Sequence, residues 1–119
     1  MSLDKWTKLP YKSILGEEYE LTFRKTSYAN NKSLAVEVMC QTKGEPYEEP
    51  FGMLTVNLAK PPQSGEGCAY LDTNNMPEDL LEMLEEVHIF ERTEVYQRSG
   101  FCIYPEVRFN SGWLEAISE

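Results

Sequence analysis

The sequence predicts an α+β fold, a mostly antiparallel sheet of about five or six strands with one main helix packed on a face. Apolar and polar residues alternate along several stretches between residues 19 and 109, which is typical of strands with one buried face. Residues 78–87 instead place apolar side chains at helical spacing. Short polar turns separate the alternating stretches, and such turns favour an antiparallel order.

The predicted strands begin near the N-terminus. Residues 1–16 form either a short strand or an irregular arm on the sheet, because Pro10 disfavours a central strand. Residues 19–24 and 34–41 alternate with period two, and a polar turn separates them. A third strand runs over about residues 47–58, where Pro50 indicates a bulge or an edge. An exposed loop over residues 60–67 follows, rich in proline and glycine.

The central stretch contains a short buried strand, a polar turn and the main helix. Residues 72–75 are turn formers, and Asn75 is the predicted N-cap, with Glu78 three residues later as its capping-box partner. Pro77 suits the first turn, where its missing N–H needs no partner. We expect the helix to fray near His88, because the acidic residues at that end oppose the helix dipole. The apolar face of the helix comprises Leu80, Leu81, Leu84 and Val87.

A hairpin after the helix returns to the same sheet. Its turn at residues 98–100 leads into a strand over residues 101–109. Pro105 lacks an N–H, so this strand is either an edge or bulged at that point. The tail that contains Trp113 is too short to form a stable helix by itself. The residues predicted to share one side of the strand are Phe101, Ile103, Pro105, Val107 and Phe109.

Length and composition indicate one domain over residues 1–119, large enough to bury a core without disulfides. The sequence has no apolar run of transmembrane length and no pattern of a signal peptide. The three cysteines are odd in number and far apart, which favours reduced thiols in a cytoplasm. Because they also lack the paired spacing of zinc ligands, we predict no metal and no cofactor.

The charge is strongly acidic and unevenly distributed. A net charge of −9 disfavours direct nucleic-acid binding and adhesion to anionic membranes, because both depend on Lys and Arg. Residues 78–94 hold seven acids against one base, Arg92. Ordinary helix faces mix both signs, so this imbalance indicates a surface for a basic protein partner. The alternative is a charged face that only keeps the protein soluble. The candidate partner-binding residues are Glu78, Asp79, Glu82, Glu85 and Glu86.

Three segments are characteristic together: FGMLTVNL at residues 51–58, AYLDTNN at residues 69–75 and RSGFCIYPEVRF at residues 98–109. In these segments the chain resembles a family of small bacterial proteins classed as a domain of unknown function. Its members are often encoded on mobile elements of Gram-positive gut bacteria. The resemblance implies a cytoplasmic accessory protein, and it supplies neither an activity nor catalytic residues.

The first functional hypothesis is therefore a non-enzymatic protein-interaction module. It binds a protein partner through the acidic helix face or through an edge strand. The family resemblance adds regulation of a host or element-encoded protein, including imitation of DNA phosphates.

Two alternatives remain open. The first is a small-ligand-binding protein or an enzyme with a polar pocket formed by Asp72, Asn74 and His88, near the turn at residues 72–75. Cys102 has no local signature of a catalytic nucleophile, so no catalytic residue is assigned. The second alternative is a homodimer formed through the strand at residues 101–109.

Overall fold

The residues that the structure describes form two antiparallel sheets and two short helices. The computed structural model describes residues 7–29 and 32–117. In chain order the elements are β1 (Lys8–Lys12), β2 (Glu18–Ser27), β3 (Leu34–Thr42), β4 (Glu49–Met53), β5 (Thr55–Val56), β6 (Cys68–Leu71), α1 (Glu78–Glu86), β7 (Phe90–Ser99), β8 (Cys102–Phe109) and α2 (Ser111–Ala116). One four-stranded sheet has the order β1-β2-β3-β4, and the other has the order β5-β6-β8-β7.

The two sheets meet at Leu54, which is fully buried between β4 and β5. Its N–H donates to the carbonyl of Val36 on β3 at 2.8 Å. Its carbonyl accepts the N–H of Asp72, just after β6, at 2.9 Å. Backbone hydrogen bonds therefore continue from the first sheet into the second through this one residue.

The prediction of a mostly antiparallel, sheet-rich fold is confirmed, but the details of the α+β prediction are wrong. Among the residues with described structure, eight strands form two sheets instead of one sheet of five or six strands, together with two short helices. The predicted third strand over residues 47–58 is divided at Leu54, so its two parts belong to different sheets. The predicted turn between β2 and β3 lies partly outside the described residues.

The main core lies between the sheets and the two helices. The strand β2 contributes alternating residues to it, as the period-two pattern predicts. Of the two forms predicted for the N-terminal stretch, residues 8–12 adopt the short strand, β1, which buries Leu9 and Tyr11. The helix α1 buries the predicted Leu80, Leu81 and Leu84. Burying side chains of this size stabilises the fold by roughly 1.5–3 kcal/mol each. The α1 residues are therefore a large part of the stability of a domain of this size.

The hairpin of β7 and β8 differs from its predicted burial. Phe101 and Ile103 are exposed, whereas Glu106, predicted on the opposite, polar side, is fully buried. The reason is that the hairpin tip extends past the last pair with β6, Tyr70 with Glu106, so its outer face has nothing to pack against. Pro105 lies just beyond that pair, where β8 needs no N–H toward β6.

The tail forms a helix, α2, that the sequence did not predict. The side chain of Asn110 accepts the N–H of Trp113 at 3.1 Å and caps the helix. Trp113 is fully buried against Phe23 and Phe109, with ring centroids 5.2 Å and 5.5 Å away. The Lys25 ammonium donates to the carbonyl of Leu114 near the C-terminal end of the helix. Tertiary packing and these end contacts stabilise a helix that is too short to form alone.

Residues 57–67, here called the strap, cross the second sheet and are held by side chains from β7 and β8. The Gln97 amide accepts the N–H of Lys60 at 3.2 Å and donates to the carbonyl of Lys60 at 3.0 Å. The guanidinium of Arg108 donates to the carbonyl of Ser64 at 3.0 Å. Because the strap has no ladder of its own, these side chains supply its backbone partners.

Glu106 holds the strap from inside the fold. Its carboxylate accepts the N–H of Gln63 at 2.8 Å and the hydroxyl of Thr93 at 2.7 Å. Burial acts to raise the pKa of Glu106, but the hydrogen bonds from Ser64, Thr93 and the Gln63 backbone outweigh it and lower the pKa. The ionised form is therefore the one that the folded state favours.

This pKa shift predicts how Glu106→Gln changes the acid stability of the protein. Because the folded pKa lies below the ordinary value of 4.5, ionised Glu106 stabilises the fold above that value. This contribution is lost as the pH falls through the folded pKa. The variant should be less stable than the parent near neutral pH, and the difference in free energy of unfolding should shrink below about pH 4.5. Urea unfolding from about pH 7 to about pH 3 measures this difference, and a difference that stays constant would contradict the assignment.

Candidate functional site

The outer face of α1 carries three acidic side chains that have no partner among the described residues. Glu78, Glu82 and Glu86 are exposed and recur every four residues, so they lie along one line on the helix. At 1.5 Å rise per residue they are about 6 Å apart along the axis. We call these three residues the acidic face.

The other two candidate acids on α1 are already engaged. The hydroxyl of Tyr11 donates to Asp79 at 3.0 Å, which joins β1 to the first turn of the helix. Burial and the Asp79 carboxylate raise the pKa of Tyr11 to about 12, so its hydroxyl remains a donor. Glu85 forms an ion pair with Arg92 at 3.3 Å. The five predicted residues therefore divide into three available carboxylates and two structural ones.

The predicted capping of α1 by Asn75 is wrong. The helix begins at Glu78, its N-cap is Pro77, and no side chain caps it. The N–H and side-chain amide of Asn75 both donate to the carboxylate of Asp72, at 3.2 Å and 2.9 Å. Asn75 is thus bound into the preceding turn, and the helix starts later.

The C-terminal end of α1 lies at the predicted place but is closed by hydrogen bonds. The N–H of Ile89 donates to the carbonyl of Leu84 at 3.0 Å, and the N–H of His88 donates to that of Glu85 at 3.0 Å. These two bonds form a Schellman motif. Its left-handed position is occupied by His88, with φ of 64°, where glycine is more usual.

His88→Gly should therefore stabilise the protein. Removing the β-carbon relieves the left-handed conformation, and we expect a gain of about 0.5–1 kcal/mol in the free energy of unfolding. Urea denaturation measures the gain. Glu86→Gly is the matched control, because glycine inside the last helical turn should cost up to about 1 kcal/mol. Equal destabilisation by both changes would contradict this account of His88.

A cleft of about 480 Å³ lies beside this helix end, between the start of β7, the end of β8 and α2. Its lining includes His88, Glu91, Arg108, Leu114 and Glu115. Arg108 lies 3.8 Å from Glu91, so one cation of the lining already has an acidic neighbour. The cleft is large enough to hold a small molecule.

The proposed polar pocket of Asp72, Asn74 and His88 is not assembled around this cleft. His88 lines it, whereas Asp72 and Asn74 do not. Asp72 is buried and holds Asn75, and Asn74 is exposed on the turn. Among the described residues there is no group of three or more His, Cys, Asp or Glu able to hold a metal ion. Cys40, Cys68 and Cys102 are free thiols.

Two further surfaces are the tip of the β7–β8 hairpin and the strap. The hairpin tip exposes Tyr96, Phe101 and Ile103, although the alternation of β8 predicted burial for the last two. The other aromatic residues around this hairpin, Tyr70, Phe90 and Tyr104, are buried. The strap is the second surface, and its composition indicated only a loop.

In the part of the chain that the structure describes, no helix is both long and apolar enough to cross a bilayer.

Together these features define a small, sheet-rich domain with an acidic helix face and an exposed apolar hairpin tip. The chain belongs to the family described as a domain of unknown function, DUF4313, whose model matches residues 22–118. The resemblance to a small family of unknown function is thereby confirmed. No curated protein and no solved structure matches the chain.

Proposed function

We propose that this protein is a non-enzymatic interaction module that binds a basic protein partner through its acidic face. The observation that carries the proposal is the line of Glu78, Glu82 and Glu86, exposed and unpaired with any described cation. A net charge of −9 adds long-range attraction for such a partner. Asp79 and Glu85 take part as supports, since they fix α1 against β1 and β7.

The spacing of the carboxylates favours a basic protein surface in general over close imitation of DNA. The acidic face presents one charge per about 6 Å of helix axis. Duplex DNA presents one per about 1.7 Å. A DNA-mimic role therefore requires further acids, and Glu91 and Glu94 on β7 are the nearest in sequence. Encoding on a mobile element and a cytoplasmic location, which the family resemblance implies, suit a regulator of a host or element-encoded protein.

The test is an affinity capture from a bacterial lysate at low and high salt, with bound proteins identified by mass spectrometry. The parent is compared with the triple variant Glu78→Gln, Glu82→Gln and Glu86→Gln, which keeps side-chain shape and removes three charges. We expect a partner that binds the parent, is lost at high salt and binds the variant at least about tenfold more weakly.

A matched control removes the same charge elsewhere. Glu18 and Glu49, at the starts of β2 and β4, and Glu45, in the loop before β4, are exposed acids outside α1, and replacing them with Gln changes the net charge equally. If this control weakens binding as much as the first triple does, net charge and not the acidic face is responsible. Binding that is unaffected both by salt and by the triple variant of the acidic face would contradict the proposal.

A second candidate function is small-ligand binding in the cleft beside His88. The observation that favours it is the cleft volume of about 480 Å³, which lies within the usual range for ligand sites. A ligand screen by thermal shift tests it. Leu114→Trp should fill the cleft and remove any ligand-induced shift, and a shift that survives in this variant would place the ligand elsewhere.

A further inference from the structure

The outer strands of the two sheets differ in how their open edges are protected. β1 carries Pro10, β4 carries Pro50, and β5 has only two residues. Proline lacks the N–H that an added strand would need, and a two-residue strand offers little backbone for pairing. The fourth outer strand, β7, has neither form of protection.

The last part of β7 is a regular, open edge. A bulge lies between Arg92 and Tyr96, where Glu94 has φ of 70°, and regular pairing with β8 resumes from Tyr96 to Ser99. Among the described residues, the backbone groups in this part bond to no element other than β8. This segment, residues 96–99, is therefore available to another strand.

The hairpin turn determines which backbone groups face outward. Gly100, with φ of 63°, and Phe101 form a two-residue loop closed by the pair Ser99 and Cys102. Such a closing pair is hydrogen bonded, and hydrogen-bonded pairs alternate along an antiparallel ladder. The N–H and C=O groups of Tyr96 and Arg98 consequently point away from β8, toward the open edge.

We propose that this edge pairs with the same edge of a second copy of the chain, antiparallel, about a twofold axis at Gln97. In an antiparallel pair, opposing side chains lie on the same face of the sheet. Within this segment a twofold axis at Tyr96, Gln97 or Arg98 meets that condition. An axis at Tyr96 would bring the left-handed Glu94 into the ladder, and an axis at Arg98 would place two guanidinium groups opposite each other. An axis at Gln97 avoids both problems and pairs Arg98 with Tyr96 of the second copy.

The pairing at Gln97 is self-complementary. It places the Arg98 guanidinium beside the exposed Tyr96 ring of the other copy, an arrangement that favours a cation–π contact. The two exposed hairpin tips, which carry Phe101 and Ile103, lie on opposite sides of this axis and point in opposite directions, so they do not clash. The sequence analysis placed the contact of a possible homodimer on the strand at residues 101–109. That strand is β8, which lies inside the sheet, so we place the contact on the outer strand β7 instead.

The dimer is weak and responds to salt in a characteristic direction. About four backbone hydrogen bonds join the two copies, over an area below the roughly 800 Å² per partner of a standard interface. Each copy carries a net charge of −9, so the copies repel at low salt. Added salt should strengthen the dimer, whereas it should weaken binding at the acidic face. The two proposals therefore succeed or fail independently.

The first test is analytical ultracentrifugation of the full chain from about 10 μM to about 1 mM, at low and high salt. The parent should form a dimer that increases with concentration and with salt. Arg98→Pro removes an outward N–H and leaves the β8 ladder intact, so it should raise the dissociation constant at least about tenfold. Arg98→Ala keeps the N–H and should weaken the dimer less. A parent that stays monomeric throughout, or an Arg98→Pro variant that dimerises equally well, would overturn the proposal.

A cross-link tests the register and does not depend on the proline variant folding. In a Cys102→Ser background, Gln97→Cys places two thiols directly opposite each other on the axis, at a non-hydrogen-bonded pair where a disulfide fits. Mild oxidation should then give a covalent dimer. Ser99→Cys lies off the axis and should cross-link much more slowly. Equal rates for the two variants, or no cross-link at Gln97→Cys, would contradict the axis.

Discussion

Replacing Leu84 with Asp should abolish cooperative folding under conditions where the parent is native. Leu84 is fully buried in α1. Removing such a leucine costs about 2–5 kcal/mol, and an unpaired carboxylate in its place adds a desolvation penalty. The total is comparable with the 5–15 kcal/mol that typically separates folded and unfolded states. Urea unfolding followed by the fluorescence of the buried Trp113 measures the loss.

The control for this change lies two residues away. Glu82→Asp alters an exposed residue on the same helix and should change the free energy of unfolding by less than about 0.5 kcal/mol. If Leu84→Asp instead melts cooperatively at the parent temperature, α1 does not pack on the core as described.

Trp113→Ala should have the second largest effect, about 3–5 kcal/mol of lost stability. The side chain is fully buried and contacts rings from two parts of the core, Phe23 on β2 and Phe109 on β8. Its removal leaves a large cavity and releases α2, which is too short to persist unpacked. Because the variant lacks Trp113 as a fluorescent reporter, far-ultraviolet circular dichroism in urea is the appropriate measurement.

Leu114→Ala is the control that distinguishes the loss of Trp113 packing from a general weakening of α2. Leu114 lies in the same helix but is only half-buried at its surface, so its loss should cost roughly 1 kcal/mol. Comparable losses for the two variants would show that the helix, and not the indole, provides the stability. A loss below about 1 kcal/mol for Trp113→Ala would contradict the burial of the ring.

The sequence predicted those elements that local periodicity determines. The apolar spacing of Leu80, Leu81 and Leu84 identified α1, and the alternation around Leu21 and Phe23 identified β2. It did not predict the division into two sheets, because that depends on Leu54 bonding to residues far away in sequence. Periodicity reports which residues share a face, and it does not report which strand lies beside that face.

Three errors have specific physical causes. Phe101 lies on the apolar side of a strand pattern, but the hairpin tip outreaches its neighbouring strand and leaves the ring in solvent. Asn75 suits an N-cap, yet its N–H and side-chain amide are bound to Asp72 within the preceding turn, and the helix starts only at Glu78. Trp113 was assigned to a tail because a six-residue helix has little stability of its own, and only its burial reveals the helix.

For the candidate site, the sequence identified the acidic residues but not their separation into two groups. Glu82 and Glu85 are the same residue type and lie three positions apart on α1, yet Glu82 is free and Glu85 is paired. Only the approach of Arg92 from β7 distinguishes them, and that contact requires the turn at His88. Tyr11 engages Asp79 from 68 residues away, which no local pattern can indicate.

The arrangement of the core also determines when this protein folds during synthesis. Phe23 is among the first core residues to leave the ribosome, whereas its partner Trp113 is among the last. The strap must likewise wait for side chains 37 to 44 residues further along the chain. Such a high contact order slows folding and delays it until β7, β8 and Trp113 have been synthesised. The apolar face of the first sheet therefore remains exposed on the nascent chain, in the state most prone to aggregation and most in need of a chaperone.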